Sequence, residues 1–314
     1  MSNFLCQESI KKEPKKTTSE ETPPSQLDSQ PLPQLATLRV YGPDANGIVA
    51  AFSQLLYGHG CGIVDSEQHT DHSSDMFFQR IHFDVTKMLT DRIALQKGVD
   101  DVCKRFNMKS ILDWNESRKQ VAIMVSKYDH CLWELLLRHR AGELPNADIC
   151  CIVSNHPDLK EIADTFKIPF YIYKVTKDTK EAVEKEELEL FTNLKVDLVV
   201  LARYMQIISD HFCESFPVIN IHHSFLPAFI GGKPYHRAHA RGVKLIGATA
   251  HYATADLDEG PIIEQDITRI SHRDDVDDLL RKGRLLEKNV LVQAVKAHIE
   301  DRIIVYNNKC VVFV

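Results

Sequence analysis

Gln120-Val121-Ala122-Ile123-Met124-Val125 is apolar at every position after the first. A half-exposed strand alternates polar and apolar residues, whereas a strand buried on both faces reads as a continuous apolar run. Working downstream, runs of the same kind recur at 148–153, 170–173 and 197–202, with helical patterns between them near 129–141, 157–166 and 178–193. Strands alternating with helices predict an α/β unit with a doubly wound, mainly parallel, Rossmann-like sheet. Ligands of such sheets bind beyond the carboxyl ends of the strands, which points to the loops after Val125, Ala202 and Ile221. A long helix at about 274–299 and two short β-like runs, 302–305 and 309–314, complete a unit spanning 118–314, and no internal repeat is found.

Upstream, 35–115 has a different rhythm. Leu38–Tyr41 reads as a strand, Gly42-Pro43-Asp44 as a turn, and 46–59 as a helix with Ile48, Val49, Phe52, Leu55 and Leu56 at helical spacing. Strands at 63–68 and 76–85, a helix at 89–106 and a last strand at 110–114 give the order βαββαβ of a ferredoxin-like domain. Residues 1–34 carry Pro14, Pro23, Pro24, Pro31 and Pro33 among Ser, Thr, Glu and Lys. That composition buries too little apolar surface to offset its ordering entropy, so a disordered tail is expected there.

The 314 residues carry a formal net charge of -6 with no basic block, which argues against a nucleic-acid partner. Eight cysteines include no Cys-x-x-Cys pair, so buried free thiols are expected rather than disulfides or a zinc ribbon. No run reaches the roughly 18–20 apolar residues that span a bilayer. A membrane partner is not expected, and the expected compartment is the cytoplasm, with organellar import left open.

Two polar constellations carry candidate chemistry. In Val218-Ile219-Asn220-Ile221-His222, Asn220 and His222 stand two apart, so both project from one face of a strand. A donor pair at a strand end suits a tetrahedral oxyanion. Taken alone, the pattern is met more often by a strand end whose polar groups satisfy backbone. His251 to Pro261 places Asp256, Asp258 and Glu259 in one loop, and crowded carboxylates tend toward raised pKa values that suit proton transfer. A solvated acidic turn accounts for that loop as well. Neighbouring residues on a strand point to opposite faces, so His222-His223 does not suggest a metal, and none is expected. His236 and His239 read as partner-facing surface, with His236 near the site. Lys180 to Glu189 reads as a solvated helix face with i,i+4 pairs such as Glu181–Lys185.

Together the two constellations, 38 residues apart, resemble the folate-dependent formyltransferase superfamily, which joins an Asn-x-His strand to a later loop with Asp before Gly. The resemblance implies catalytic roles for Asn220, His222 and Asp258. It implies a folate pocket at Leu201, Met205, Gln206 and Ile208, walled on the other side by His251, Thr254 and Leu257. His222 to Pro227, Lys233 to Ala238, Leu257 to Ile263 and Ser126 to Leu132 resemble one branch, the formyltetrahydrofolate deformylases. The unit containing Gly42-Pro43-Asp44 and Gly47-Ile48-Val49 resembles an ACT domain, a regulatory and oligomerisation module. The resemblance implies hydrolysis of 10-formyltetrahydrofolate to tetrahydrofolate and formate, which adjusts the one-carbon folate pool and supplies purine synthesis. It also implies a homo-oligomer, an amino-acid effector, and no cofactor beyond the folate substrate. Ala45-Asn46 and Gly62-Ile63 depart from the branch's pattern where the effector would bind. A transferase acting on a phosphorylated amine needs a glycine-rich phosphate loop, and Ser126-Lys127-Tyr128-Asp129-His130 has no glycine. A formyltransferase with an amine acceptor and a non-catalytic amino-acid sensor remain the alternatives.

Overall fold

The computed structural model describes residues 34–228 and 234–314, so the tail expected over 1–34 lies, but for Gln34, outside the described residues. Chain order is β1 (Leu35–Pro43), α1 (Ile48–Gly58), β2 (Gly62–Asp71), β3 (Met76–Asp84), α2 (Arg92–Phe106), β4 (Lys109–Trp114), β5 (Lys119–Val125), α3 (His130–Arg140), β6 (Ala147–Ser154), α4 (Lys160–Phe166) and β7 (Phe170–Ile172). It continues with α5 (Lys180–Asn193), β8 (Leu198–Leu201), α6 (Asp210–Ser215), β9 (Val218–His222), α7 (Pro234–Arg241), β10 (Leu245–Tyr252), β11 (Ile262–Arg269), α8 (Val276–Ile299), β12 (Ile303–Tyr306) and β13 (Lys309–Val312).

The apolar run that opens the second unit becomes β5, the middle one of the five parallel strands in a seven-stranded sheet ordered β11-β10-β9-β8-β5-β6-β7. Strands β5 to β9 are parallel, and β10 and β11 are antiparallel additions. Continuous apolar character is required because successive side chains enter two different cores. Val121, Ile123 and Val125 join α3, α4 and α8 on one face. Ala122 and Met124 join Phe191 of α5 and Phe212 of α6 on the other. Helix α8 starts on a reciprocal capping box between Asp275 and Asp278, which satisfies backbone donors at its first turn.

Helix α5 differs from its expected solvated face. Glu184 and Glu187 are buried. Three residues apart, they lie on the helix face that also carries buried Phe191, and that face packs beneath the loop following β8.

The first unit is a four-stranded antiparallel sheet ordered β2-β3-β1-β4, the ferredoxin-like order. One face packs Leu38, Ile81 and Phe83 against Phe52 of α1 and Leu95 of α2. The opposite face is covered by the C-terminal hairpin, where buried Phe78 meets Ile304 and Phe313. Burying one such phenylalanine contributes about 2 kcal/mol. Arg39 donates to the Ile303 carbonyl at 2.7 Å and pairs with Asp113 at 2.7 Å. Arg80 donates to the carbonyls of Glu300 and Asp301, both at 3.1 Å. Arg80 thus meets the negative end of α8. The buried Asp301 carboxylate pairs with Lys119 and with Arg39.

No helix among the described residues is long and apolar enough to cross a membrane. The seven described cysteines are free.

Candidate active site

The carboxyl ends of β8 and β9 and the loops after them open into a cavity of about 610 Å³. Leu201, Met205, Gln206, Ile208, His251, Thr254 and Leu257 line it, as do Asn220, His222 and Asp258. The cavity thus collects every residue that the resemblance implied for catalysis and for the folate pocket.

Antiparallel pairing sets Asn220 of β9 directly opposite His251 of β10. A register shift at Ala250/His251, against β11, re-aims that histidine. His251 donates from Nδ1 to the Tyr252 carbonyl at 2.9 Å, which leaves Nε2 to accept from the Asn220 amide at 3.2 Å. Burial holds the His251 pKa below its ordinary value, so the ring is neutral and this tautomer is consistent with both bonds. The bond fixes which end of the Asn220 amide carries nitrogen, and one of its N–H donors stays available. Tyr252 is itself tied to α8, donating to His298 Nδ1 at 2.7 Å. Burial presses His298 down to about 3.

His222 faces Asp258, Nδ1 to Oδ1 at 3.1 Å, with both side chains buried. Its Nε2 is buried and has no hydrogen-bond partner among the described residues. Buried polar atoms are nearly always satisfied, so this edge is open to a group that enters the cavity. Asp258 holds a left-handed backbone, φ 61°. Two residues on, Gly260 passes so close to β10 that a Cβ there would lie 1.7 Å from the Tyr252 carbonyl oxygen. Only glycine permits that approach, and it folds the loop back so that the carboxylate meets His222.

The loop's charge pattern differs from expectation. Asp256 and Glu259 are exposed and do not crowd Asp258. Burial alone would raise the Asp258 pKa, but the hydrogen bond from His222 and the neighbouring imidazoles hold it below the ordinary carboxylate value. Asp258 is therefore an ionised acceptor at neutral pH rather than a strong base.

The wall formed by 201–208 is pinned from below. The Met205 amide donates to Ser126 Oγ at 3.0 Å, the Ser209 amide to Glu184 at 2.6 Å, and Tyr204 Oη to Glu187 at 3.4 Å. Met205 and Ile207 remain more than half exposed to the cavity and solvent, as does Leu257 opposite.

Sequence reasoning missed the other end of the cavity, lined by Tyr128, His130, Arg203, His223, Tyr235, Arg284 and Glu287. Glu287 of α8 is buried. It accepts from His130 Nε2 at 2.7 Å and from Tyr235 Oη at 2.8 Å, and its Oε2 lies 3.4 Å from Arg203 Nε. Burial opposes its ionisation, but His130 and Arg203 outweigh it and hold the pKa below the ordinary value. Arg203 also lies over the Tyr128 ring at 5.2 Å. His223 follows the last residue of β9, so the rule of alternate faces does not reach it. Its ring lies 5.2 Å from that of His222, and both line the cavity. Burial and the charge of Arg203 lower His223 to about 4.

His130, Cys131 and Glu287 offer ligand atoms within 4.8 Å of one another. Arg203 already supplies the countercharge, and burial pushes the Cys131 thiol far up, which suits an ion-pair network rather than a cation site. His236 is exposed and lines the cavity near this end. One signal for this cluster was present in the sequence. Glu287 falls in register with Gly283, Val290, Leu291 and Ala294, on the stripe of α8 that is otherwise apolar and buried.

Residues 119–295 match the formyl transferase family. The chain is 51% identical over 279 residues to the formyltetrahydrofolate deformylase of Synechocystis sp., a match covering 88% of this chain and 98% of that protein. It is similar to a solved formyltetrahydrofolate deformylase from Pseudomonas syringae pv. tomato, with a TM-score of 0.85 and 42% identity over 89% of this chain and 94% of that one. A glycinamide ribonucleotide transformylase 1 from Symbiobacterium toebii is similar at a TM-score of 0.58 and 27% identity, over 62% of this chain and 94% of its own.

Proposed function

The chain belongs to the formyltetrahydrofolate deformylase family, and from that premise we propose that it hydrolyses 10-formyltetrahydrofolate to tetrahydrofolate and formate, with Asn220, His222 and Asp258 at the reacting carbon. The observation that carries these roles is the meeting of an oriented amide, an imidazole with an unpartnered nitrogen and an ionised carboxylate at one point of the cavity.

The pterin lies against Leu201, Met205, Gln206 and Ile208, with Thr254 and Leu257 as the facing wall and His251 behind Asn220. The formyl oxygen points to the Asn220 amide and to His222, which donates from Nε2 as an imidazolium while its Nδ1–H goes to Asp258; both donors stabilise the oxyanion that forms when water attacks. Asp258 accepts the water's hydrogen bond and orients it. A carboxylate of lowered pKa removes little proton density from free water, but oxygen newly bonded to carbon is strongly acidic and gives up its proton readily. That proton moves through Asp258 to the folate N10 as the carbon–nitrogen bond breaks, and formate leaves. Water as sole acceptor is supported by the glycine-free loop at 126–130, whose Asp129 would repel a phosphate. The chemistry asks for no metal and no cofactor beyond the folate itself.

Purified protein with 10-formyltetrahydrofolate and no added acceptor should release formate stoichiometrically with tetrahydrofolate. No release would overturn the reading in favour of an amine-dependent transferase or a non-catalytic sensor.

Residues 35–115 we read as an ACT-like regulatory and oligomerisation domain and 118–314 as the catalytic domain. An amino-acid effector and a homo-oligomer follow from that reading and are tested by calorimetry with glycine and methionine and by light scattering. Free, largely buried thiols suit a reducing compartment, and we place the enzyme in the cytoplasm, where cell fractionation should find it. Formate made there feeds purine synthesis and adjusts the folate pool.

A further inference from the structure

We propose that Arg203, clamped by Glu287, is the residue that reserves the formyl carbon for water by closing the acceptor side of the cavity to amines. The inference rests on the deformylase reading and deepens it. A nucleophile must reach the formyl carbon from the side that the pterin does not fill. On that side stands Arg203, at φ 64°, a backbone conformation that costs a side chain about 1–2 kcal/mol and that glycine adopts freely. Strain of this kind persists only where the surroundings over-determine it, and it gathers at functional sites. Here the surroundings are explicit. The guanidinium faces Glu287 at 3.4 Å and covers the Tyr128 ring.

The rest of the Glu287 carboxylate is taken up by His130 and Tyr235. Tyr235 is wedged in turn against Gly283 of α8, where a Cβ would lie 1.9 Å from its hydroxyl oxygen. A glycine inside a helix costs about 1 kcal/mol, and its use here lets Tyr235 reach Glu287. The four side chains hold one another in place, although His130 Nδ1 and Arg203 Nε stay buried without a hydrogen-bond partner among the described residues. In the proposal they stand where an amine acceptor would sit, with the charge of Arg203 turned to Glu287, while water reaches the carbon beside Asp258.

The two outcomes differ only in the nucleophile. With water, the new bond is carbon–oxygen, the carbon–N10 bond breaks, and N10 takes the proton. With a primary amine, the new bond is carbon–nitrogen, the same bond breaks, and a proton of the amine passes to N10, giving a formamide and tetrahydrofolate.

The test is a partition ratio, which does not depend on absolute rate. Wild-type protein, Arg203→Gly and the charge-balanced Arg203→Gly/Glu287→Gln are each given 10-formyltetrahydrofolate with excess glycinamide, and formate and N-formylglycinamide are counted. The ratio should move toward the formamide by about tenfold or more in both variants, the scale on which opening a pocket changes discrimination. Tyr128→Ala, at an exposed position, opens the same side without breaking the ion pair and should move it in the same direction. An unchanged ratio in any variant that turns over overturns the proposal. So does complete inactivity of both folded Arg203 variants, which would place Arg203 in the chemical step. Failure of the wild type to release formate without an amine sinks the deformylase reading instead.

Discussion

Glu187→Gln should stabilise the protein at alkaline pH and flatten its pH dependence. Glu187 is 3% exposed on α5, with Tyr204 as its weak hydrogen-bond donor and Glu184 as a like charge close by. Burial first, and Glu184 second, push its pKa from 4.5 to about 7. Between those two values the folded chain holds a proton that the unfolded chain has released, so stability falls as pH rises. The contribution is complete below 4.5 and is lost as pH climbs through about 7. At 1.36 kcal/mol per pKa unit, ionising this carboxyl in place costs about 3 kcal/mol above neutrality. Glutamine keeps the shape and an acceptor for Tyr204 but has no charge to desolvate. Thermal unfolding at pH 5 and at pH 8.5 reads the difference: the variant should gain about 6 °C or more at the higher pH and little at the lower. A variant that keeps the wild-type slope between the two pH values would refute the account. Glu287 is the internal contrast, because burial acts on it in the same direction and is overcome by Arg203 and His130.

Asn220→Ala and Asp258→Ala should each lose about a hundredfold or more in kcat, the usual cost of one oxyanion donor or more, with unfolding midpoints near wild type. Near-normal turnover in Asp258→Ala would remove it from the mechanism. Gly283→Ala gains helix propensity of about 1 kcal/mol yet should lower the unfolding midpoint, because its Cβ displaces Tyr235 from Glu287. Calorimetry that finds this variant more stable would show that Tyr235 has room to move.

What could be read from the sequence divides by range. The face shared by Asn220 and His222 follows from strand periodicity, and the doubly wound sheet from apolar runs that feed two cores at once. Partners brought in by tertiary register were hidden. Nothing local tells that His251 stands across from Asn220, or that His130 reaches Glu287 across 157 residues. The acidic loop misled because charge was counted along the chain, while the fold turns Asp256 and Glu259 to solvent and Asp258 to His222. Helix α5 misled for the complementary reason. Its charged composition hides two glutamates on the face that supports the loop after β8. Arg203 carried no signal at all, since a positive φ on a non-glycine residue is invisible until the backbone is seen.

The C-terminal hairpin also fixes when the first sheet can finish folding. Phe78 is made long before Ile304 and Phe313, which cover it. Until residues 303–313 are made, the nascent chain carries a bare aromatic face on that sheet. A chain cut after residue 302 keeps every residue of the catalytic cavity and still exposes that face. Such products are marked for chaperones or degradation by that bare face and not by any defect in the cavity.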